Sequence, residues 1–281
     1  MLLVFLSSAW FSASALLIKA LGPDVPVAWV VFCRNAVALA PVAALMHRRG
    51  IGWRTKNTTG LVMRGVWGVG AMVTGFWAIP RLPMANATLL MYASPLYAAL
   101  LGAVFLDEPV ARSAAGYIAL SFVGLFLAVP PLAGAAVLPT AAAFASGLFS
   151  GLAFTALRQA ASTDEPIRVV FYYALIGSGL FLVPAALSGV VPSPRQTLLL
   201  LAVGGASTVG QLLMSSGFGK TPVAKASLAT LVSVVLNFLG GWALWGEKPS
   251  AATWAGCALI LFGILGLSEA FRKRLLLAAP A

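Results

Sequence analysis

The 281-residue sequence is poor in charge, in histidine and in cysteine. Only 9 % of its residues are charged, the one histidine is His47, and the two cysteines are Cys33 and Cys257. A soluble globular protein carries about 25 % charged residues, so this composition cannot cover a water-exposed surface. Two isolated cysteines form neither a disulfide framework nor a zinc motif. We therefore expect no metal and no cofactor.

Long apolar runs take the place of charge. Hydrophobic residues make up 60 % of the chain, and ten runs approach the length that crosses a bilayer. The runs are continuous rather than alternating, which favours helices over the strands of a membrane barrel. We predict an all-α integral membrane protein with ten transmembrane helices. The predicted spans are Leu2–Ala20, Val27–Met46, Thr59–Pro80, Ala85–Leu106, Ala114–Val129, Leu138–Leu157, Ile167–Leu187, Leu198–Phe218, Ala224–Trp245 and Ala251–Ala270.

The basic residues are distributed unequally between the two sides of the predicted spans. Thirteen Lys and Arg residues, Arg64 among them, fall on the side of the two termini, and four fall on the other side. The positive-inside rule then places both termini in the cytoplasm of a bacterial inner membrane. The net charge of +11 has the same explanation, so we expect no nucleic-acid partner. The expected partners are membrane lipid and a small-molecule substrate, and the protein is expected to be a monomer.

The sequence repeats itself when it is shifted by 139 residues without a gap. The aligned pairs include Lys19 and Arg158, Arg81 and Lys220, Pro83 and Pro222, and Glu108 and Glu247. Each half, 1–138 and 139–281, holds five predicted spans, and an odd number forces the second half to cross the membrane in the opposite sense. Inverted repeats of this kind are typical of secondary transporters, whose central site opens alternately to the two sides.

One stretch of each half carries a family resemblance. Residues 78–87, with Arg81, Pro83 and Asn86, continue through Ser94-Pro95-Leu96 to Leu106-Asp107-Glu108-Pro109, and the second copy extends from Gly217 to Glu247. This motif resembles the drug/metabolite transporter superfamily, EamA-type. The resemblance implies ten helices, cytoplasmic termini and a central cavity surrounded by helices 1–4 and 6–9. It also points to the amino-acid exporters, including the aromatic amino-acid branch. The second copy departs from the first in having Val234 where Pro95 stands.

Arg34 is the most informative single residue. It lies about seven residues into the second predicted helix, roughly 10 Å deep at 1.5 Å per residue, and is the only cation that the predicted spans place deeply. An arginine inside a span is costly unless it faces water, a partner or the bundle interior. It could hold a substrate carboxylate. Alternatively, it could bond helix-end carbonyls or extend outward to the membrane surface.

Other side chains are candidates for the substrate pocket or for its two ends. Aromatic and polar groups within spans suit a part-apolar solute, although Trp and Tyr also pack between helices or anchor the membrane surface. The predicted substrate-binding residues are Trp10, Arg34, Trp77, Tyr92, Tyr97, Tyr173, Gln211, Ser215 and Asn237. The predicted gate or mouth residues are Lys19, Glu108, Arg158 and Glu247, which could equally anchor helix ends or cap neighbouring helices.

Acidic residues are missing from the interior of every predicted span. All seven lie in loops or at helix ends. Proton-coupled carriers usually place an acid or a histidine inside the membrane, so we expect movement down a gradient or coupling through a group that the sequence does not identify. A buried organic cation would also lack its counter-ion. With no histidine in a span to activate a serine, an intramembrane enzyme is not expected.

The sequence therefore predicts a secondary transporter that exports amino acids, with aromatic or large apolar side chains favoured, by alternating access. Export of another amphipathic metabolite or drug is the alternative. Phosphorylated substrates are less favoured, because a phosphate site needs several deep cations and only Arg34 is predicted to be deep.

Overall fold

Helices are the only regular structure in the computed structural model, which describes residues 2–106, 112–127, 137–248, 250–252, 254–259, 261–263 and 266. The helices are α1 (Leu2–Leu21), α2 (Val27–Arg48), α3 (Thr58–Ala78), α4 (Met84–Met91), α5 (Ser94–Phe105), α6 (Arg112–Leu127), α7 (Val137–Thr163), α8 (Pro166–Ala186), α9 (Pro194–Phe218), α10 (Val223–Ala229) and α11 (Val232–Trp245). A 3₁₀ turn, Ile79–Arg81, follows α3, and the described residues of Trp254–Gly263 are helical as well. The all-helical prediction is thus confirmed over these ranges.

Seven helical stretches are long and apolar enough to cross a membrane. They are Leu2–Leu21, Val27–Arg48, Thr58–Arg81, Val137–Thr163, Pro166–Ala186, Pro194–Phe218 and Lys225–Trp245. Shorter apolar helices cover Ala115–Gly124 and Trp254–Gly263. The chain is therefore a multi-pass membrane protein, while ten spans and an inverted repeat stay predictions.

Each of the fourth and ninth predicted spans consists of two helices. The fourth is divided into α4 and α5 at residues 92–93, and the ninth into α10 and α11 at residues 230–231. Pro95 explains the first break, because it has no N–H to donate to the carbonyl of Met91. In the second break Thr230 Oγ1 donates to the carbonyl of Ser227 at 2.5 Å, and the backbone tightens into bonds between residues three apart, such as Ser233 N to Thr230 O.

The long helices pack as pairs. Helix α1 lies along α9, α2 along α8 and α3 along α7. Glycines permit the close approach: an added Cβ would lie 2.5 Å from Val4 of α1 at Gly217 of α9, and 3.2 Å from Phe149 of α7 at Gly70 of α3. Each pair joins one helix from the first half of the chain to one from the second.

Two apolar clusters fill opposite ends of the bundle. One contains Ile18, Ile79 and Met84 and lies beside Lys19, and we call it the Lys19 end. The other contains Val4, Leu157 and Met214 and lies beside Arg158, and we call it the Arg158 end. Since Val4 and Ile18 lie near the two ends of α1, these clusters bound the middle of the bundle from both sides.

Candidate substrate-binding site

A cavity of about 150 Å³ lies in the middle of the bundle. Both halves of the chain contribute to it, and among its described lining residues there is no carboxylate and no histidine. The lining comprises Phe11, Ser14, Ala15, Arg34, Arg64, Gly68, Ala71, Met72, Phe76, Ile79, Met84, Thr88, Met91, Tyr92, Ser94, Ser146, Ser150, Ala153, Phe154, Tyr173, Gln211, Met214, Thr230, Ser233 and Asn237. Met84 and Met214 belong to the two apolar end clusters, so the cavity extends from one cluster to the other.

Arg34 of α2 is 6 % exposed and lines this cavity. Its Nη1 donates to Met72 Sδ at 2.7 Å and to the Tyr173 hydroxyl at 3.5 Å. The rings of Phe76 and Phe11 lie 5.6 and 6.0 Å from its guanidinium carbon. Within the described part of the chain, the guanidinium donates to side chains and not to helix-end carbonyls, and its burial is incompatible with an outward-extended side chain.

Arg64 of α3 is a second buried arginine in the cavity, so the prediction that Arg34 is the only deep cation is wrong. It is 3 % exposed, its Nη2 donates to Gln211 Oε1 at 3.2 Å, and its guanidinium carbon lies 4.1 Å from the centre of the Tyr173 ring. Helix α3 begins at Thr58, where Asn57 Oδ1 accepts from the Gly60 N–H at 2.8 Å. Six residues of helix, about 9 Å, therefore separate Arg64 from the start of α3.

The two guanidinium groups form a concentrated positive charge. Both carbons lie within 6 Å of the centre of the Tyr173 ring, at 4.1 Å for Arg64 and 5.8 Å for Arg34. The salt bridges found among the described residues join Lys19 to Glu247 and Arg168 to Asp164 instead, away from the cavity. A guanidinium has five N–H donors, and the contacts above occupy only part of them. A buried, unpaired cation is costly, and a bidentate carboxylate would satisfy it.

A second polar wall comes from the interrupted helices. Asn237 of α11 is buried, and its Nδ2 donates to Thr88 Oγ1 of α4 at 3.4 Å. Its Oδ1 accepts no hydrogen bond from the described residues. Nearby, the Ser233 hydroxyl donates to the backbone oxygen of Ser8 at 3.1 Å. This wall therefore offers a buried acceptor to a donor group such as an amine.

Five of the nine predicted substrate-binding residues line the cavity. They are Arg34, Tyr92, Tyr173, Gln211 and Asn237. They come from four different helices and from the interruption after α4, so folding, and not proximity in the sequence, brings them together. Their role in binding stays a prediction.

The other four predicted residues lie elsewhere. Trp10 is 43 % exposed, because the cavity-facing side of α1 carries Phe11 and Ser14, and adjacent residues of a helix point about 100° apart. The remaining three are accounted for by packing. Trp77 stacks under Arg81 at 4.4 Å, Tyr97 packs edge-on against Phe144, and Ser215 is buried without lining the cavity.

The predicted gate residues lie at the two ends of the bundle. Lys19 forms a salt bridge with Glu247 and lies 5.1 Å from the centre of the Trp245 ring. Glu247 also accepts from the N–H of Met84 at the start of α4, at 3.4 Å, so it both pairs with a cation and caps a helix. Glu108 lies outside the described residues.

At the opposite end, Arg158 binds the last turn of α9. Its Nη1 donates to the backbone oxygens of Phe218 and Gly219 at 3.2 and 2.9 Å. A cation is favoured at a helix C-terminus. Lys19 and Arg158, which the 139-residue shift aligns, thus each connect two helices at opposite ends.

Asp164 organises a loop cluster at the Arg158 end. It accepts hydrogen bonds from Thr55 Oγ1 at 2.8 Å and from Arg168 Nη1 at 2.5 Å. The backbone N–H groups of Lys56 and Asn57 donate to it as well. Burial raises the pKa of the Asp164 carboxyl, but these hydrogen bonds, led by that of Arg168, outweigh burial and hold the pKa below its usual value.

Comparison with known proteins agrees with this architecture. The EamA-like transporter family matches residues 1–129 and again residues 138–269. The pseudopaline exporter CntI of Pseudomonas aeruginosa is 30 % identical over 95 % of each chain. The riboflavin transporter of Vibrio cholerae is 23 % identical over 87 % of this chain and 83 % of its own. A solved crystal structure superposes with a TM-score of 0.77 over 98 % of this chain and 97 % of the other, at 22 % identity.

An all-helical, multi-pass bundle around a central cavity, with transporters as its relatives, indicates a membrane transporter. The chain belongs to the EamA-like transporter family. The relationship to the drug/metabolite transporter superfamily that its motif predicted is confirmed.

Proposed function

We propose that the protein is a secondary transporter that exports amino acids and related metabolites across the inner membrane by alternating access. The observation that carries the proposal is the pair of buried arginines in a cavity whose described lining holds no carboxylate. A substrate carboxylate would neutralise this charge, and intramembrane ionisable residues of this kind mark substrate pathways.

The rest of the cavity suits an amino-acid group. The acceptor Asn237 Oδ1 and the hydroxyls of Thr88 and Ser233 would receive an amine. Phe76 and Phe154 form apolar walls for an aromatic or large apolar side chain, as part-apolar ligands require. Export of another amphipathic metabolite is the second candidate, and the similarity to a pseudopaline exporter favours it.

In an alternating-access mechanism, contacts at each end of the bundle hold that end closed while the other end is open. The salt bridge between Lys19 and Glu247 joins α1 to the end of α11 and holds the Lys19 end together. The cavity volume of about 150 Å³ is smaller than the roughly 300–1,000 Å³ of small-molecule sites. Its walls must therefore separate to admit a substrate. We propose that the two ends open in turn, with both termini on the cytoplasmic side.

Transport by purified protein in proteoliposomes tests the proposal. Uptake of labelled phenylalanine, threonine and glutamate is measured with and without a pH gradient. Saturable uptake of at least one amino acid is expected, with little effect of the pH gradient because the described lining holds no acid or histidine. The Arg34→Gln variant should lose uptake, while Arg81→Gln, which alters an arginine that stacks on Trp77 outside the cavity, should retain it. If no amino acid moves, the amino-acid proposal is wrong.

A further inference from the structure

The charge of the cavity defines the substrate more narrowly than the proposed function does. Arg34 and Arg64 are both buried and both face Tyr173, and no acid of the described chain lines the space beside them. A single carboxylate leaves one of the two charges uncompensated in a region of low dielectric, where unpaired charge is costly. Resting on the proposed function, we infer that the preferred substrate carries two carboxylates, as an acidic amino acid or an amino-acid conjugate does.

The two arginines lie on different helices and have different second partners, so each offers its own set of donors. Both guanidinium groups contact Tyr173, but Arg34 also donates to Met72 and Arg64 also donates to Gln211. Separate guanidinium groups on α2 and α3 suit two carboxylates, each of which accepts a pair of N–H bonds.

Gly68 shows that Arg64 and the Tyr173 ring pack closely against α3. An added Cβ at this position would overlap the Tyr173 ring and would lie 2.5 Å from Arg64 Nη1. The absence of a side chain at Gly68 therefore leaves the space that Arg64 and Tyr173 occupy. The cation pair is part of the packed interior.

Asn237 distinguishes an amino acid with two carboxylates from a dicarboxylate that has no amine. Its Oδ1 is buried and lacks a donor within the described structure, and burying an acceptor without a donor is costly. An amine on the substrate supplies that donor. The site thus combines two anion-binding groups with one amine-accepting group, which a dicarboxylate amino acid matches in full.

Ligand binding to purified protein in lipid nanodiscs tests the charge requirement. Glutamate and glutamine form the first pair of probes, since they differ in one negative charge at nearly equal size. Glutarate and its monoamide form a second pair without an amine, and phenylalanine represents a large apolar side chain. Dissociation constants come from ligand-dependent shifts in melting temperature. Glutamate should bind at least about tenfold more tightly than glutamine, and glutarate more tightly than its monoamide.

Variants show whether the arginines produce the preference. In Arg64→Gln the dissociation constants of glutamine and glutamate should differ by no more than about twofold. The same result is expected for Arg34→Gln. Arg81→Gln should leave the ratio unchanged. Melting curves without ligand establish that each variant is folded, and a variant that does not fold is replaced by the other cavity variant.

The outcomes separate this inference from the proposed function. Equal binding of glutamate and glutamine, or a preference that survives in both cavity variants, overturns the inference and leaves amino-acid export standing. If glutarate binds more tightly than its monoamide but no amino acid binds, the amino-acid proposal is wrong and the requirement for two carboxylates stands. Glycerol 3-phosphate is measured as a further probe. If it binds more tightly than glutarate, the preferred substrate is a phosphate ester and the dicarboxylate inference is wrong. If no probe binds, both fail.

Discussion

Two buried arginines line the cavity and form no salt bridge with the described residues. Arg34 and Arg64 repel each other and have lost most of their hydration, and both effects raise the free energy of the empty protein. The substrate anion proposed above would remove this cost on binding.

Replacing either arginine should therefore leave the empty protein as stable as before, or more stable. We expect Arg34→Gln and Arg64→Gln to keep or raise the melting temperature in the absence of ligand, because each removes one unpaired buried charge. Differential scanning fluorimetry in one detergent measures this, with Arg81→Gln as the matched control at a site outside the cavity. A fall of about 5 °C or more, equivalent to roughly 3 kcal/mol for a protein of this size, would show that the arginines are structural.

Asp164 gives a prediction with a defined pH dependence. Asp164→Asn removes the carboxylate that receives Thr55, Arg168 and two backbone N–H groups, and it should cost about 1–3 kcal/mol at neutral pH. The pKa of Asp164 lies below its ordinary 3.8 in the folded state, so the stabilisation is complete well above pH 3.8 and is lost as the pH falls through the lower folded value.

The melting-temperature difference between the native protein and Asp164→Asn measures this effect. It should stay constant from about pH 8 to pH 5 and shrink below about pH 4. Glu165→Gln is the control, because the adjacent Glu165 carboxylate makes no capping hydrogen bond. A difference that is independent of pH down to about 3 would contradict the role given to the carboxylate.

At single positions the sequence predicts whether a residue is buried better than it predicts which way its side chain points. Arg34 could be identified as deep by counting residues from the start of its helix, and the same count from Asn57, a residue typical of helix starts, would have found Arg64. Trp10 and Phe11 are adjacent and both aromatic, and only the packing of α1 against α9 decides which one faces the cavity. Hydropathy carries no information on that choice.

The interrupted helices are the elements that shape the site. Tyr92 and Ser94 lie at one interruption and Thr230 and Ser233 at the other, and all four line the cavity. Broken helices at membrane depth are tolerated where they line such a cavity, and they mark substrate sites in transporters. A hydropathy profile shows both segments as continuous runs, so the breaks could not be placed from apolar length. Pro95 was a signal for the first, and Thr230 is only a weak one for the second.

Helix α7 packs closely against the end of α4, beside the first interruption, through glycine. An added Cβ at Gly147 would lie 2.5 Å from the backbone oxygen of Leu90. Because backbone cannot move aside as a side chain can, Gly147→Ala should destabilise the protein by about 1–3 kcal/mol and reduce transport. Gly179→Ala on α8 is the control, because nothing lies within 4 Å of its added Cβ.

The control should be neutral or slightly stabilising, since alanine is the better helix former. Melting temperature and transport rate are measured for both variants. A Gly147→Ala protein as stable and as active as Gly179→Ala would mean that the contact between α7 and α4 is not close.

Over the whole molecule, the pairing of helices supports the predicted inverted repeat. A shift of 139 residues carries α1, α2 and α3 approximately onto α7, α8 and α9. If the two halves are exchanged, the α1–α9 contact becomes the α7–α3 contact. The α2–α8 contact becomes α8–α2, which is the same pair. These are the observed neighbours. The repeat was predictable because it rests on charges, prolines and glycines in register, whereas the cavity depends on contacts between distant segments.

Two similar halves around one cavity are compatible with the proposed carrier, in which the same site is exposed to each side in turn. A channel with both ends open would not need the salt bridge at the Lys19 end or the apolar clusters at both ends. Carrier and channel differ in how they respond to substrate on the far side of the membrane.

Counterflow of glutamate through proteoliposomes tests the carrier mechanism and the arginine site together. Vesicles are loaded with unlabelled glutamate, and the initial uptake of external labelled glutamate is followed for the native protein, Arg34→Gln and Arg81→Gln. Internal glutamate should accelerate uptake severalfold in the native protein and in Arg81→Gln, and Arg34→Gln should abolish the acceleration. Uptake that is indifferent to internal glutamate in the native protein, or acceleration that survives in Arg34→Gln, would contradict a carrier whose buried arginines hold the substrate.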